Sequence, residues 1–188
     1  MQKYFAAAAI VLMVGTVLTR ALLAGRRGIE VMEFGKLDKT DFLIPPFVLF
    51  YFYLIAANAF GLPSVNRQEF FRSPIVAWMG VLVCLAGLVL LVWALISFGQ
   101  SFRVGIDTEH ADKLVTGGVF AFSRNPIYVA FSLVMLSQFL VSPNWVFLIA
   151  LGAGVCLYHR QVLREEAFLR QHYGQEYAGY CKQVRRYL

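Results

Sequence analysis

Charge is what this sequence has least of. Only 15% of its 188 residues are Lys, Arg, Asp or Glu, against 59% hydrophobic, whereas a soluble domain carries roughly 25% charged residues. That deficit excludes a mostly water-facing surface. Cysteine is also scarce. Cys84, Cys156 and Cys181 form no Cys-x-x-Cys or Cys-His cluster, so neither a disulfide framework nor a zinc site is supported, and no metal is expected. The spacings of Ser-His-Asp and Cys-His catalysis, the His-Glu-x-x-His motif and the P-loop are missing as well, which tells against a hydrolase or an ATPase. The net charge of +6 comes without an arginine-rich helix or an aromatic-basic signature, so nucleic acid is not the expected partner. Neither internal repeats nor helices broken at their middle, the marks of many transporters, are evident. Pro45-Pro46 lies at the start of an apolar stretch.

What is present is hydrophobicity in long blocks, the pattern of a chain whose solvent is lipid. Five stretches stand out: Tyr4 to Leu23, Phe42 to Leu62, Ile75 to Phe98, Pro126 to Val141 and Trp145 to Tyr158. The first is long enough to span and has no convincing cleavage site after it, so it reads as a retained helix. The third has no charge in 24 residues and reaches about 36 Å at ~1.5 Å per residue. The last two are short. Ser142-Pro143-Asn144 turns between them, and nothing breaks the fifth helix before Tyr173. The expected fold is all-α, an integral membrane bundle of about five transmembrane helices. Its last two form a short hairpin, and a cytoplasmic helix follows. One structural domain is expected. Residues 1–98 hold three transmembrane helices and a loop, and 99–188 hold a cofactor-binding loop, the hairpin and a catalytic tail.

Basic residues set the orientation. Thirteen of them fall after spans one, three and five, against Lys3, Arg67 and Arg72 on the other side, with Arg20 left to snorkel near the end of span one. This asymmetry predicts a multi-pass protein with its amino terminus outside and its carboxyl terminus and active site cytoplasmic. Within the spans, Gly80 and Gly87, and Gly152 and Gly154, suit close helix packing. Asn58 and Gln138 suit interhelical hydrogen bonds.

The cytoplasmic ends of the hairpin bring Arg124-Asn125-Pro126-Ile127-Tyr128 towards Arg164-Glu165-Glu166. Asn is a favoured N-cap and Pro a favoured first helical residue, so helix four should start at Pro126. Its free amides and dipole would attract an anion, with Arg124 beside them. Thr116-Gly117-Gly118 permits a tight turn that lets backbone approach a ligand. Phe168, Leu169, Tyr173, Tyr177 and Tyr180 give the tail an apolar, aromatic face suited to lying against headgroups or covering a pocket. His110, His159 and His172 also fall near this side.

Two ordered runs carry a family resemblance. They are Leu114-Val115-x-x-Gly118-Val119-Phe120 with Ser123-Arg124-Asn125-Pro126-Ile127-Tyr128, and Glu165-Glu166-x-x-Leu169-x-x-x-Tyr173-Gly174-x-x-Tyr177-x-x-Tyr180 with Val184-Arg185-Arg186. Over roughly Gly99 to Leu188 the chain resembles the isoprenylcysteine carboxyl methyltransferase family, to which phospholipid methyltransferases are related. The resemblance implies an S-adenosylmethionine-dependent methyltransferase acting on a lipophilic, membrane-borne or prenylated substrate. Carried over by position, the cofactor-binding residues are Asp112, Lys113, Leu114, Val115, Phe120, Arg124, Asn125, Tyr128, Glu165 and Glu166. Glu165 and Glu166 are not separable on this basis. Catalytic roles fall to Glu165 and to a substrate-facing arginine, Arg160 or Arg164, although the alignment puts Gln161 at that place. Eukaryotic members have His, Tyr and His where this chain has Asp112, Phe120 and Asn125. Asn125 still hydrogen-bonds but takes no proton, and Asp112 reverses the possible charge.

A methyltransferase needs no catalytic triad, because adenosylmethionine brings its own electrophile and the protein mainly positions and desolvates the reactants. A carboxyl or thiol acceptor is the first expectation. A phospholipid amine, which needs a base such as Glu165 or His159, is an alternative, and a non-enzymatic transport or assembly protein is another.

Overall fold

The computed structural model describes residues 1–25, 44–63, 68–98 and 114–188. Among these the secondary structure is helical throughout: α1 (Gln2–Gly25), α2 (Ile44–Phe60), α3 (Pro74–Phe98), a 3-10 turn (Gly118–Ala121), α4 (Pro126–Val141), α5 (Trp145–Tyr173) and α6 (Gln175–Gln183). The helix ends lie within two residues of the apolar runs, except that α5 continues well past its apolar part, as the lack of a breaker before Tyr173 predicts. Among the described residues, three helices are long and apolar enough to cross a membrane: Gln2–Arg20, Pro74–Phe98 and Trp145–Tyr173. With 17 and 16 residues, α2 and α4 reach only about 26 and 24 Å, short of a ~30 Å hydrocarbon core.

Side chains point the wrong way for water. Val89, Ile96 and Ile149 are about 70% exposed, because an apolar solvent imposes no cost on them. What holds the bundle is therefore close packing and internal polar contact. The tightest seam joins α3 to α4. A Cβ on Gly80 would meet Val141 Cγ2 at 2.9 Å and the Ser137 carbonyl at 3.0 Å, and one on Gly87 would meet Val134 Cγ2 at 3.0 Å and the Ala130 carbonyl at 3.1 Å. Two glycines seven apart thus open a groove for an antiparallel neighbour. Gly154 does the same for Met135, but a Cβ on Gly152 would meet nothing within 4 Å, so packing accounts for the first three glycines and not for Gly152.

Contacts at the helix ends fix the order in which they alternate. At one end Ala6, Val81 and Val141 cluster. There Lys3 Nζ and Arg72 Nε each lie 2.9 Å from Glu69, and Ser142 Oγ donates to Glu69 and to Asn58 Oδ1, both at 3.2 Å. Burial alone would raise the Glu69 carboxyl, yet Lys3, Arg72 and Ser142 together hold it below its ordinary range. At the opposite end Arg20 Nη2 donates to the Leu95 carbonyl at 3.1 Å. The interhelical role expected of Asn58 and Gln138 is met: Gln138 Nε2 donates to the Ala6 carbonyl at 3.3 Å. The hairpin turn is capped by Asn144 Oδ1, which accepts from the Phe147 amide at 3.0 Å, a contact worth about 1 kcal/mol.

Candidate active site

The site lies at the Arg20 end of the bundle, where α3 finishes and α4 begins. Gly118 has φ +62° and packs its α-carbon face directly against Ser97 of α3. Ser97 Oγ accepts from the Val119 amide at 3.2 Å. Gly118 of the expected glycine turn therefore packs on α3, while a Cβ on Gly117 would meet nothing within 4 Å. Val119 and Phe120 are buried there with Ala94, with Val115 packed against them, and Phe120 meets Phe98 edge-on with centroids 4.7 Å apart. Leu114 is half-buried just upstream. Asp112, Lys113 and His110 lie outside the described residues.

Helix α4 starts at Pro126 as the Asn-Pro pair predicts, but Asn125 does not cap it with its side chain. The Asn125 amide group instead donates to Glu166 Oε1 at 3.3 Å and to the Arg186 carbonyl at 3.1 Å. Glu166, only 3% exposed, is the reason. A buried carboxylate must be paired and hydrogen-bonded, and it recruits what stands nearby. Arg124 Nη2 reaches Oε1 at 3.1 Å, and the Arg186 fork engages both oxygens at 2.9–3.1 Å. That bonding lifts the Arg186 guanidinium above its usual range. The anion expected beside the start of α4 is thus supplied by the protein's own α5.

Glu165 sits differently. It is half-buried, accepts from Tyr128 OH at 2.5 Å and lies 3.4 Å from Gln161 Nε2 one turn earlier. Tyr158 lies against both Tyr128 and Phe131, with centroids 5.9 and 5.8 Å apart. Arg160 and Arg164, half-buried, are one turn apart on a neighbouring face of α5, so Gln161 and not either arginine shares the Glu165 face.

After Gly174, at φ +50°, α6 folds back and buries Tyr177 and Tyr180. These two do not lie against headgroups, because Tyr180 OH donates to the Phe120 carbonyl at 2.6 Å and Tyr177 packs beside it. Burial pushes the Tyr180 hydroxyl up to about 12, with Arg124 opposing. Burial and the neighbouring Glu166 carry Tyr177 higher still. Neither phenol is a base at neutral pH. Among the described residues, two buried donors, Arg124 Nε and the Tyr177 hydroxyl, have no hydrogen-bond partner. His159 meets Tyr187 OH at 2.7 Å through Nδ1, and His172 lies between the Phe168 and Tyr173 rings.

The structure thus brings together Phe120, Arg124, Asn125, Tyr128, Glu165 and Glu166. One participant, Arg186, was not singled out as a site residue from sequence, and Gln161, which the alignment put at the substrate-facing place, meets Glu165. A signal for the separation of the two glutamates was present. Ala150, Gly154 and Val162 are buried on α5, and Glu166 continues that stripe at four-residue spacing, while Glu165 falls about 100° away.

A family model for phospholipid methyltransferases matches residues 75–176, more than half of the chain. A probable protein-S-isoprenylcysteine O-methyltransferase of Oryza sativa subsp. indica is 29% identical over 112 residues, 58% of this chain and 59% of the relative. The protein-S-isoprenylcysteine O-methyltransferase of Dictyostelium discoideum is 26% identical over 110 residues, 57% and 46% of the two chains. That of Tribolium castaneum is 28% identical over 139 residues, 70% and 50%. The chain spans about half the length of the curated relatives it matches.

Proposed function

The chain belongs to the phospholipid methyltransferase family, and from that membership we propose that it is an S-adenosylmethionine-dependent methyltransferase of a lipophilic, membrane-borne acceptor. The observation that carries the site is the Tyr128–Glu165 hydrogen bond of 2.5 Å, which joins the start of α4 to the cytosol-side extension of α5. Bound adenosylmethionine supplies a methyl group on a sulfonium, so the chain needs to bind, orient and dry the reactants.

The residues suit that group. Glu165 offers a carboxylate to a ribose hydroxyl or an ammonium, and the rings of Tyr128, Tyr158 and Phe131 suit a cation. The unpartnered donors at Arg124 and Tyr177 suit an acceptor oxygen, from ligand or water. In this reading Asp112, Lys113, Leu114, Val115, Phe120, Asn125, Tyr128 and Glu165 line the cofactor side. Arg160 and Arg164 serve the acceptor's acid group. Glu166 acts from behind, as the anchor of Arg124 and Asn125. In this reading α1, α3 and α5 cross the bilayer and the shorter α2 and α4 cross where it is thinned, with the amino terminus outside and the site cytoplasmic, supported by the bias of 13 basic residues against three. Residues 1–98 are the scaffold and 99–188 carry the chemistry, in one domain.

The names of the relatives favour a carboxyl acceptor of the isoprenylcysteine kind, with a thiol as the related case. The description of the family model favours a phospholipid amine, for which Glu165 and His159 are the bases at hand. Family membership sets the non-enzymatic alternative aside.

Calorimetry on the detergent-purified protein tests the cofactor. Binding is expected, and Glu165→Gln and Tyr128→Phe should each weaken it about tenfold, the loss of one charge-assisted hydrogen bond of ~1.5 kcal/mol. No heat at millimolar adenosylmethionine would overturn the reading. Labelled methyl transfer into a lipid extract then sorts acceptors: a base-labile label marks an ester and a base-stable one an amine or a thioether.

A further inference from the structure

The chain beyond α6 has no helix to hold it, yet it is tied down at every residue from 185 to 187. The Arg185 carbonyl accepts from the Arg124 amide at 3.0 Å, and the Arg186 carbonyl accepts from Asn125 Nδ2 at 3.1 Å. The Arg186 guanidinium grips both oxygens of Glu166, and Tyr187 OH meets His159. These ties run back along α5 from Glu166 to His159 while crossing to the start of α4. They are polar: Arg185 is exposed and Leu188 is 70% exposed, so little apolar burial holds the segment. The two backbones it staples are those that present Tyr128 and Glu165 to each other.

We propose that Arg186 is a positioning residue, which through Glu166 holds the start of α4 against α5 and keeps the Tyr128–Glu165 pair in its binding geometry. The proposal rests on the methyltransferase reading for the identity of the ligand. Charge arithmetic separates this role from simple support of the fold. Two guanidinium groups, Arg124 and Arg186, share one carboxylate. Removing Arg186 leaves Glu166 paired with Arg124 and bonded to Asn125, so the buried charge stays compensated and the helices stay packed. What is lost is the strap. A cavity competent only part of the time binds with a Kd raised by the inverse of that fraction.

The experiment compares the full-length protein with Arg186→Ala and Arg186→Lys, using adenosylmethionine as the probe. If the competent fraction falls to about a tenth, Arg186→Ala raises Kd about tenfold with unchanged stoichiometry and a Tm within a few degrees. Arg186→Lys restores part of the affinity, because it keeps the charge and loses the fork. Wild-type affinity in Arg186→Ala overturns the proposal. So does reduced stoichiometry at unchanged Kd, the mark of a partly unfolded sample. Hydrogen exchange without ligand gives a second readout. Loss of protection at the Arg124 amide in Arg186→Ala supports the strap, and unchanged protection overturns it. If the wild type binds no adenosylmethionine, the methyltransferase reading fails, and the exchange result still decides the strap.

Discussion

Glu165 and Glu166 are neighbours in sequence with opposite environments. Glu166 is enclosed by two guanidinium groups and an amide. Removing it leaves two buried or half-buried cations facing one another without a counter-charge. Glu166→Ala should therefore cost about 3–5 kcal/mol, the range for breaking a buried ion pair, read as a large fall in Tm in detergent. Glu165→Ala should leave Tm near the wild-type value, because its partners Tyr128 and Gln161 lie at a half-open face. Equal Tm losses in the two variants would contradict the division of roles. The distinction was legible in the four-residue spacing from Ala150 through Val162. It was obscured because a glutamate on an apolar stripe makes sense only once its cationic partners are known, and Arg186 lies 20 residues away in the chain.

Among the elements, the seam between α3 and α4 carries the fold. Gly80 and Gly87 face backbone carbonyls of Ser137 and Ala130 as well as side chains, and backbone cannot move aside cheaply. Gly80→Ala and Gly87→Ala should each cost about 1–3 kcal/mol, as overpacking does. Gly152→Ala meets no neighbour and should stabilise by up to ~1 kcal/mol through helix propensity alone. Thermal unfolding of the three variants checks this, and equal behaviour would mean the seam is not where the helices touch. Helix starts and stops were readable: Pro126 opens α4, Ser142-Pro143-Asn144 turns the hairpin, and α5 runs unbroken to Tyr173. The Asn125 cap was misjudged. Its amide served a tertiary demand, the buried carboxylate, over the local one at the helix start.

At the scale of the whole molecule, polar groups collect at two opposite ends, with Lys3, Glu69, Arg72 and Ser142 at one and Arg20, Arg124 and Glu166 at the other. The proposed orientation puts the first end outside. A tag after Leu188 should then resist protease in intact cells and be cut once the membrane is opened, while a tag before Met1 is cut in both. The reverse pattern would invert the site and refute the cytoplasmic assignment. By itself the order of residues determined that the chain avoids water, where its helices run and which ends carry charge, because these follow from local composition and spacing, while its two motifs carried the family resemblance. The tertiary structure alone decided which cations compensate the buried glutamate, which face of α5 meets α4, and that the final residues return to the start of α4. Such outcomes depend on electrostatic compensation between side chains far apart in the chain, and no local pattern encodes that sum.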